Sequence, residues 1–167
     1  MPSPKLKVRL YPDPCLRIKS KTVKEIGPGE RMLIEAMISA MHKEKGIGLA
    51  APQVGINQRI FVADIGQGEH VFVNLQILQR SGEAVLEEGC LSIPGVNINV
   101  KRAFKIKVKY MDQFNNIHEE TFEDLMARVI LHENDHLDGK LIIDYASKED
   151  IAKYDDKLKD LEKKFKK

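Results

Sequence analysis

Between residues 30 and 45 apolar side chains recur at Leu33, Ile34, Met37, Ile38 and Met41, the three-and-four spacing that lines one face of an α-helix. The next ten residues, Gly46-Ile47-Gly48-Leu49-Ala50-Ala51-Pro52-Gln53-Val54-Gly55, hold three glycines and a proline and cannot continue it, so Gly46 is expected to cap that helix. Residues 59–65 and 71–79 read as strands, the second sending Val71, Val73, Leu75 and Ile77 to one face. Ser81-Gly82 turns the chain into another extended run at 84–88. Further on, Ile106, Val108 and Tyr110 alternate with Lys105, Lys107 and Lys109, as in a strand with one wet face, and Asn115-Asn116 closes a hairpin to residues 117–121. Thr121 and Asp124 have the spacing of a capping box, which starts a helix near Phe122, and Gly139 supplies its stop. From Leu125 to Leu131 only Arg128 is charged, so this helix is expected to be enclosed by other elements. Residues 148–167 place Ile151, Tyr154, Leu158, Leu161 and Phe165 on one seam of a charged helix. Strands in adjacent runs with helices segregated from them predict an α+β domain. Its strands are largely antiparallel around one central helix, between an N-terminal helix and a C-terminal amphipathic helix.

At 167 residues the chain reads as a single domain, 1–167, with residues 148–167 as its C-terminal helix. Twenty-seven basic residues against 25 acidic ones leave no global field that would favour DNA or an anionic membrane. Met1-Pro2-Ser3-Pro4-Lys5 lacks the apolar run of a secretory signal, and no stretch reaches the length of a membrane span, so a soluble, cytoplasmic protein is expected. In reducing surroundings Cys15 and Cys90 read as free or metal-bound thiols, Cys15 as a structural one. The C-terminal seam is expected to pack on its own domain; the rival reading, a partner-binding helix, rests on the basic tip Lys163, Lys164, Lys166 and Lys167.

Within the central helix stands His132-Glu133-Asn134-Asp135-His136. Two histidines four residues apart share a helix face and can converge on one ion, while the glutamate beside them can reach water there without being a ligand. Two satisfied core histidines are the bland alternative. A third ligand must come from elsewhere. Ile142 occupies the position where one class of metallopeptidase carries a third histidine. Glu149 or Glu162 offers a downstream carboxylate without a supporting signature, whereas Cys90 lies within Glu88-Gly89-Cys90-Leu91-Ser92, and we prefer it. Two imidazoles and one thiolate leave a fourth position for water, the pattern of catalytic rather than closed structural sites. A thiolate lowers the Lewis acidity of the ion, which puts more of the proton transfer on Glu133.

Three segments in order, Gly46 to Gln53, Glu88 to Ser92 and His132 to His136, resemble the GxGLAAxQ, EGCLS and HExDH motifs of bacterial peptide deformylases. The likeness extends over nearly the whole chain and includes the C-terminal helix of one bacterial branch. It implies a metal-dependent hydrolase that removes the formyl group from the N-terminal formyl-methionine of nascent polypeptides, releasing formate. Cys90, His132 and His136 would hold one divalent ion, iron(II) as the native metal with zinc as a substitute, and metal-bound water would attack the formyl carbon with Glu133 as base and then acid. The Gln53 amide and the Leu91 backbone N–H would hold the developing oxyanion. Ile47, Gly48, Leu86, Glu88, Gly89, Leu125, Arg128 and Val129 would bind the substrate, which adds as an extended strand beside Gly46 and Gly48. A ribosome contact through the C-terminal helix is not part of that implication and rests on the basic tip alone. The chain departs from the family pattern at Leu131, where glutamine is usual, and at His42, where tyrosine is common; at Arg128, the guanidinium must reach solvent or an acid such as Glu88. Two competing readings are a catalytically silent metal-bound module that docks on ribosomes and a general endopeptidase.

Overall fold

The computed structural model describes residues 5–167; residues 1–4, most of the opening read for a secretory signal, lie outside it. The chain runs α1 (Pro28–Lys43), β1 (Gly48–Ala50), β2 (Ile60–Ala63), β3 (His70–Ser81), β4 (Ala84–Cys90), β5 (Ile93–Arg102), β6 (Lys105–Met111), β7 (Ile117–Glu123), α2 (Asp124–Leu137) and α3 (Lys148–Lys166). A five-stranded sheet has the order β1-β2-β3-β6-β7, and β4 pairs with β5 in a second, separate sheet. Every strand pairing in both is antiparallel. The α+β expectation is met, and among the described residues no helix is long and apolar enough to cross a membrane.

Three apolar clusters fill the interior. α2 lays Met126, Ala127, Val129, Ile130 and Leu131 against one face of the larger sheet, on Phe61, Phe72, Ile106 and Val108. α1 covers the opposite face with Ile34, Met37 and Met41 against Ile60, Val62 and Val73. The third cluster joins β5, through Ile93, Val96, Ile98 and Val100, to Leu141, Ile142 and the Tyr154, Leu158 and Leu161 seam of α3. The C-terminal helix therefore docks on its own chain, although Ile151 and Phe165, at the two ends of the seam, remain exposed.

Several local expectations are corrected. Val71 and Val73 belong with α1, whereas Leu75 and Ile77 pack with α2. A bulge between Val73 and Gln76, with Asn74 at φ 53°, reverses the side-chain phase, because one extra residue moves every later side chain to the other face. The capping box is absent. Thr121 stays in β7, opposite Lys107, and α2 starts at Asp124 with no side-chain cap on Glu123: the β6–β7 ladder holds the backbone extended for two residues beyond the expected start. Gly46 is not the left-handed residue that ends α1. Lys45 is, at φ 58°, and the Gly46 N–H bonds the Met41 carbonyl one position later. What position 46 requires is space, since a Cβ there would lie 2.8 Å from Leu91. Gly139 does terminate α2 as expected, at φ 74°. Strand β5 was not anticipated at all, because Pro94-Gly95 hid the alternation of Val96, Ile98 and Val100.

Candidate metal centre and active site

His132 and His136 project from one face of α2, their ring centroids 5.1 Å apart. Cys90 ends β4, across from Ile93 at the turn of the β4–β5 hairpin. Donor atoms of Cys90, His132 and His136 lie within 4.8 Å of one another, and the Cys90 sulfur is 3.4 Å from His136 Nε2. Sulfur and nitrogen ligands at ordinary zinc distances across a tetrahedral angle would stand about 3.6 Å apart, so the donor set fits a small divalent ion. One buried polar atom supports that fit: Glu133 Oε1 has no hydrogen-bond partner among the described residues. An unpartnered carboxylate oxygen in an enclosed site is costly unless a ligand meets it.

His132 is oriented by a carboxylate. Its Nδ1 lies 2.9 Å from Glu88 Oε1. Burial works to raise the Glu88 carboxyl, yet the His132 and Arg102 hydrogen bonds outweigh it and bring it down to about 2. An ionised Glu88 makes Nδ1 the donor and leaves the Nε2 lone pair for the centre. Arg102, absent from the sequence-based site, grips both Glu88 oxygens at 2.7 and 2.9 Å and reaches Asp135 at 2.9 Å. Tyr145 donates to the same Asp135 oxygen, and its ring lies under the Arg102 guanidinium. Arg128 turns from solvent to Glu88 Oε2 at 2.6 Å and to the carbonyls of Val100 and Ala84. Glu88 lines the cavity, but both of its oxygens are engaged by this network and not directed at a substrate.

Glu133 is buried, and that burial is the main reason its carboxyl rises to about 7, with the Glu88 charge adding to the rise and His132 opposing it. A glycine at 48 is what lets it stand there, because a Cβ would fall 2.5 Å from Glu133 Oε2. Gln53 is fixed at both ends of its amide. Its oxygen accepts from the Ala50 N–H at 2.9 Å, and its nitrogen donates to Ser92 Oγ at 3.0 Å and points at the Cys90 sulfur, 3.6 Å away. The other thiol, Cys15, is pushed up to about 12, first by burial and then by Asp13, and contacts the Pro52 carbonyl.

These groups border a cavity of about 430 Å³ whose walls include Ile47, Gly48, Gln53, Gly89, Leu91, Leu125, Arg128, Val129 and Glu133. Leu86 does not line it and stands exposed on β4. Gly95, Val96 and Asn97, from the unanticipated β5, form part of the wall instead. The signal that could have found them was the alternation from Val96 to Val100, and Arg102 lies two residues further along the same phase. On its outer side β1 has no partner strand among the described residues, and Gly46, Ile47 and Gly48 run along the cavity there.

A relative from Clostridium perfringens, named peptide deformylase 1, is 48% identical over 140 residues, covering 83% of this chain and 95% of its own. The peptide deformylase of Thermotoga maritima is 45% identical over 142 residues, 84% of this chain and 87% of its own. Among solved structures, the peptide deformylase of Legionella pneumophila superposes with a TM-score of 0.90 at 37% identity, covering 96% of each chain. The polypeptide deformylase family model matches residues 5–152, a span that takes in all three motifs and every donor gathered at the centre, and the chain belongs to that family.

Proposed function

We propose that this protein removes the formyl group from the N-terminal formyl-methionine of newly made polypeptides in the cytoplasm, by hydrolysis to formate and a free amine. The observation that carries the reading is the convergence of Cys90, His132 and His136 donors beside a buried Glu133 with a free oxygen. Cys90, His132 and His136 hold one divalent ion, with iron(II) as the native metal and zinc as a substitute, since imidazole and thiolate suit both. When bound, such an ion acidifies water and polarises a carbonyl oxygen.

The protein's own groups then have separate tasks. Glu133, its carboxyl raised to about 7 before any cation acts on it, accepts the proton of the attacking water and later delivers it to the nitrogen as the C–N bond breaks. The Gln53 N–H and the Leu91 backbone N–H stabilise the oxygen as it gains charge. The unpaired edge of β1 binds the peptide as an added strand read through its backbone, which suits substrates of many sequences. Ile47, Leu125, Val129 and the aliphatic stem of Arg128 form the apolar wall for the methionine side chain. The exposed lysines 163, 164, 166 and 167 at the end of α3 make a ribosome contact, to be checked by cosedimentation with purified ribosomes.

Formate release from a formyl-methionyl peptide by the metal-loaded protein is the direct test. Glu133→Ala should lower turnover by about 10²–10⁴-fold. Undiminished turnover in that variant removes Glu133 from the mechanism, and no formate from the wild-type protein overturns the reading. Metal analysis after anaerobic purification identifies the ion.

A further inference from the structure

The candidate ligands come from two parts of the molecule that share no sheet. Cys90 sits on the β4–β5 hairpin, whose apolar residues pack with α3, and no α2 residue belongs to that cluster. His132 and His136 sit on α2, whose apolar residues pack on the five-stranded sheet. Leu91, in the hairpin turn, packs into the cluster on the α1 side of the five-stranded sheet, whereas α2 itself reaches the hairpin through polar links, and Arg128 makes three of them. From α2 its Nη1 donates to Glu88 Oε2 at 2.6 Å and to the Val100 carbonyl at 2.9 Å, and its Nη2 donates to the Ala84 carbonyl at 2.7 Å. Ala84 and Val100 lie on the two strands of the hairpin, and Glu88 lies two residues before the sulfur. One planar guanidinium thus holds both strands and the carboxylate that orients His132.

We propose that Arg128 is a positioning residue for the metal centre: it fixes the spacing between the sulfur on the hairpin and the imidazoles on α2 while its methylene stem forms part of the substrate cavity. Guanidinium geometry is what allows this, because five donors in a rigid fork can serve three acceptors at once and an ammonium cannot hold the same three directions. The charges also balance, with Arg102 and Arg128 against Glu88 and Asp135. Loss of the Arg128 charge leaves that group net negative beside His132. Arg102 still holds both Glu88 oxygens, so Glu88 keeps a partner when the Arg128 guanidinium is removed.

The inference rests on the metal-binding part of the proposed function, and its test is read on the metal itself. Arg128→Met keeps an aliphatic stem and removes the fork; Arg128→Lys keeps stem and charge. Each is compared with the wild-type protein, loaded with cobalt(II), for the rate of metal release to excess chelator, for the cobalt–thiolate absorption band and for the rise in unfolding midpoint on metal loading. Arg128→Met should release metal about 10–100-fold faster, the range typical of residues that support ligands, with a shifted band and a smaller rise. Arg128→Lys should fall between the two. Wild-type release rate and band in Arg128→Met would overturn the inference, leaving Arg128 as a cavity wall. Equal loss of midpoint with and without metal, the band unchanged, would overturn it as well. If Arg128→Met is not recovered folded, Arg128→Lys decides: faster release supports the inference, and wild-type release with a wild-type band sinks it. Because none of these readouts needs turnover, wild-type protein that binds cobalt but yields no formate would refute the proposed function without touching this one.

Discussion

The two parts that meet at the centre are built differently. On α2 the two histidines are spaced by helix geometry alone, and residues on that helix pack against Phe61, Phe72 and Val108 in the largest sheet. The hairpin carrying Cys90 is a two-stranded sheet, an arrangement of marginal stability by itself, which relies on α3 and the Leu141–Ile142 segment for an apolar core. Charges around Glu88 join α2 to the hairpin, while Leu91 of the hairpin turn packs on the α1 side of the large sheet. The contrast teaches that the distance between imidazoles is local and robust, whereas the distance from either imidazole to sulfur depends on tertiary contacts and should be the first thing lost.

Removing a donor from either side gives the largest effect. Cys90→Ala and His136→Ala should each weaken metal binding beyond the roughly 10–100-fold typical of supporting residues, as measured by chelator competition. Stoichiometric binding retained by Cys90→Ala would break the comparison, since the hairpin would then contribute nothing. Gln53→Ala comes next: a lost oxyanion donor costs about 10²–10³-fold in turnover, with metal content unchanged because Cys90, His132 and His136 all remain, although the sulfur loses the donor 3.6 Å away. A parallel loss of metal would reassign Gln53 to holding Cys90 in place.

Leu158→Ala sharpens the contrast on the stability side. It opens the seam between α3 and β5 and should cost about 2–3 kcal/mol, with hydrogen exchange accelerated in the hairpin before it rises in α2. Uniform acceleration in both would mean that they unfold as one unit. The smallest effect is on acid stability. The Glu88 carboxyl lies at about 2 in the folded protein against 4.5 for the free group. Its contribution is therefore complete above about pH 4.5 and is lost as pH falls toward 2, the window in which the unfolded chain binds the extra proton. Denaturant melts of metal-free protein across that window should show stability rising with pH, and Glu88→Gln should reduce the slope. A slope unchanged by that substitution would deny Glu88 its role in joining the two parts.

How much of this could be read from the residues follows the same division. Patterns whose meaning is local were legible: the four-residue spacing of His132 and His136, the apolar run ahead of them, Gly139 as a stop, and the lysine-alternating strand from Lys105 to Met111. Cys90 was legible only through its motif, because nothing in the spacing of a cysteine 42 positions away says that it folds back onto the helix. Where long-range pairing competes with local preference, local reading failed. The ladder to Lys107 kept Thr121 extended despite its capping-box spacing, and one inserted residue at Asn74 divided Val71 and Val73 from Leu75 and Ile77. Arg102 was invisible for a related reason: its three bonds go to residues 14 and 33 positions away, and an arginine at the end of an unrecognised strand looks like solvated surface. Leu86 was expected at the cavity, yet it does not line it: it shares a face of the hairpin with its partner Val100, and it stays exposed where Val100 is buried.

The free margin of β1 has a consequence for timing. It is three residues long, Gly89 of β4 and Leu91 of the β4–β5 turn line the cavity beside it, and in the proposed binding mode it takes up one extended chain end. A polypeptide whose first residues are already tucked into its own structure cannot reach it. Whatever is processed here must arrive while its leading end is still loose, and the race is run against the substrate's own folding.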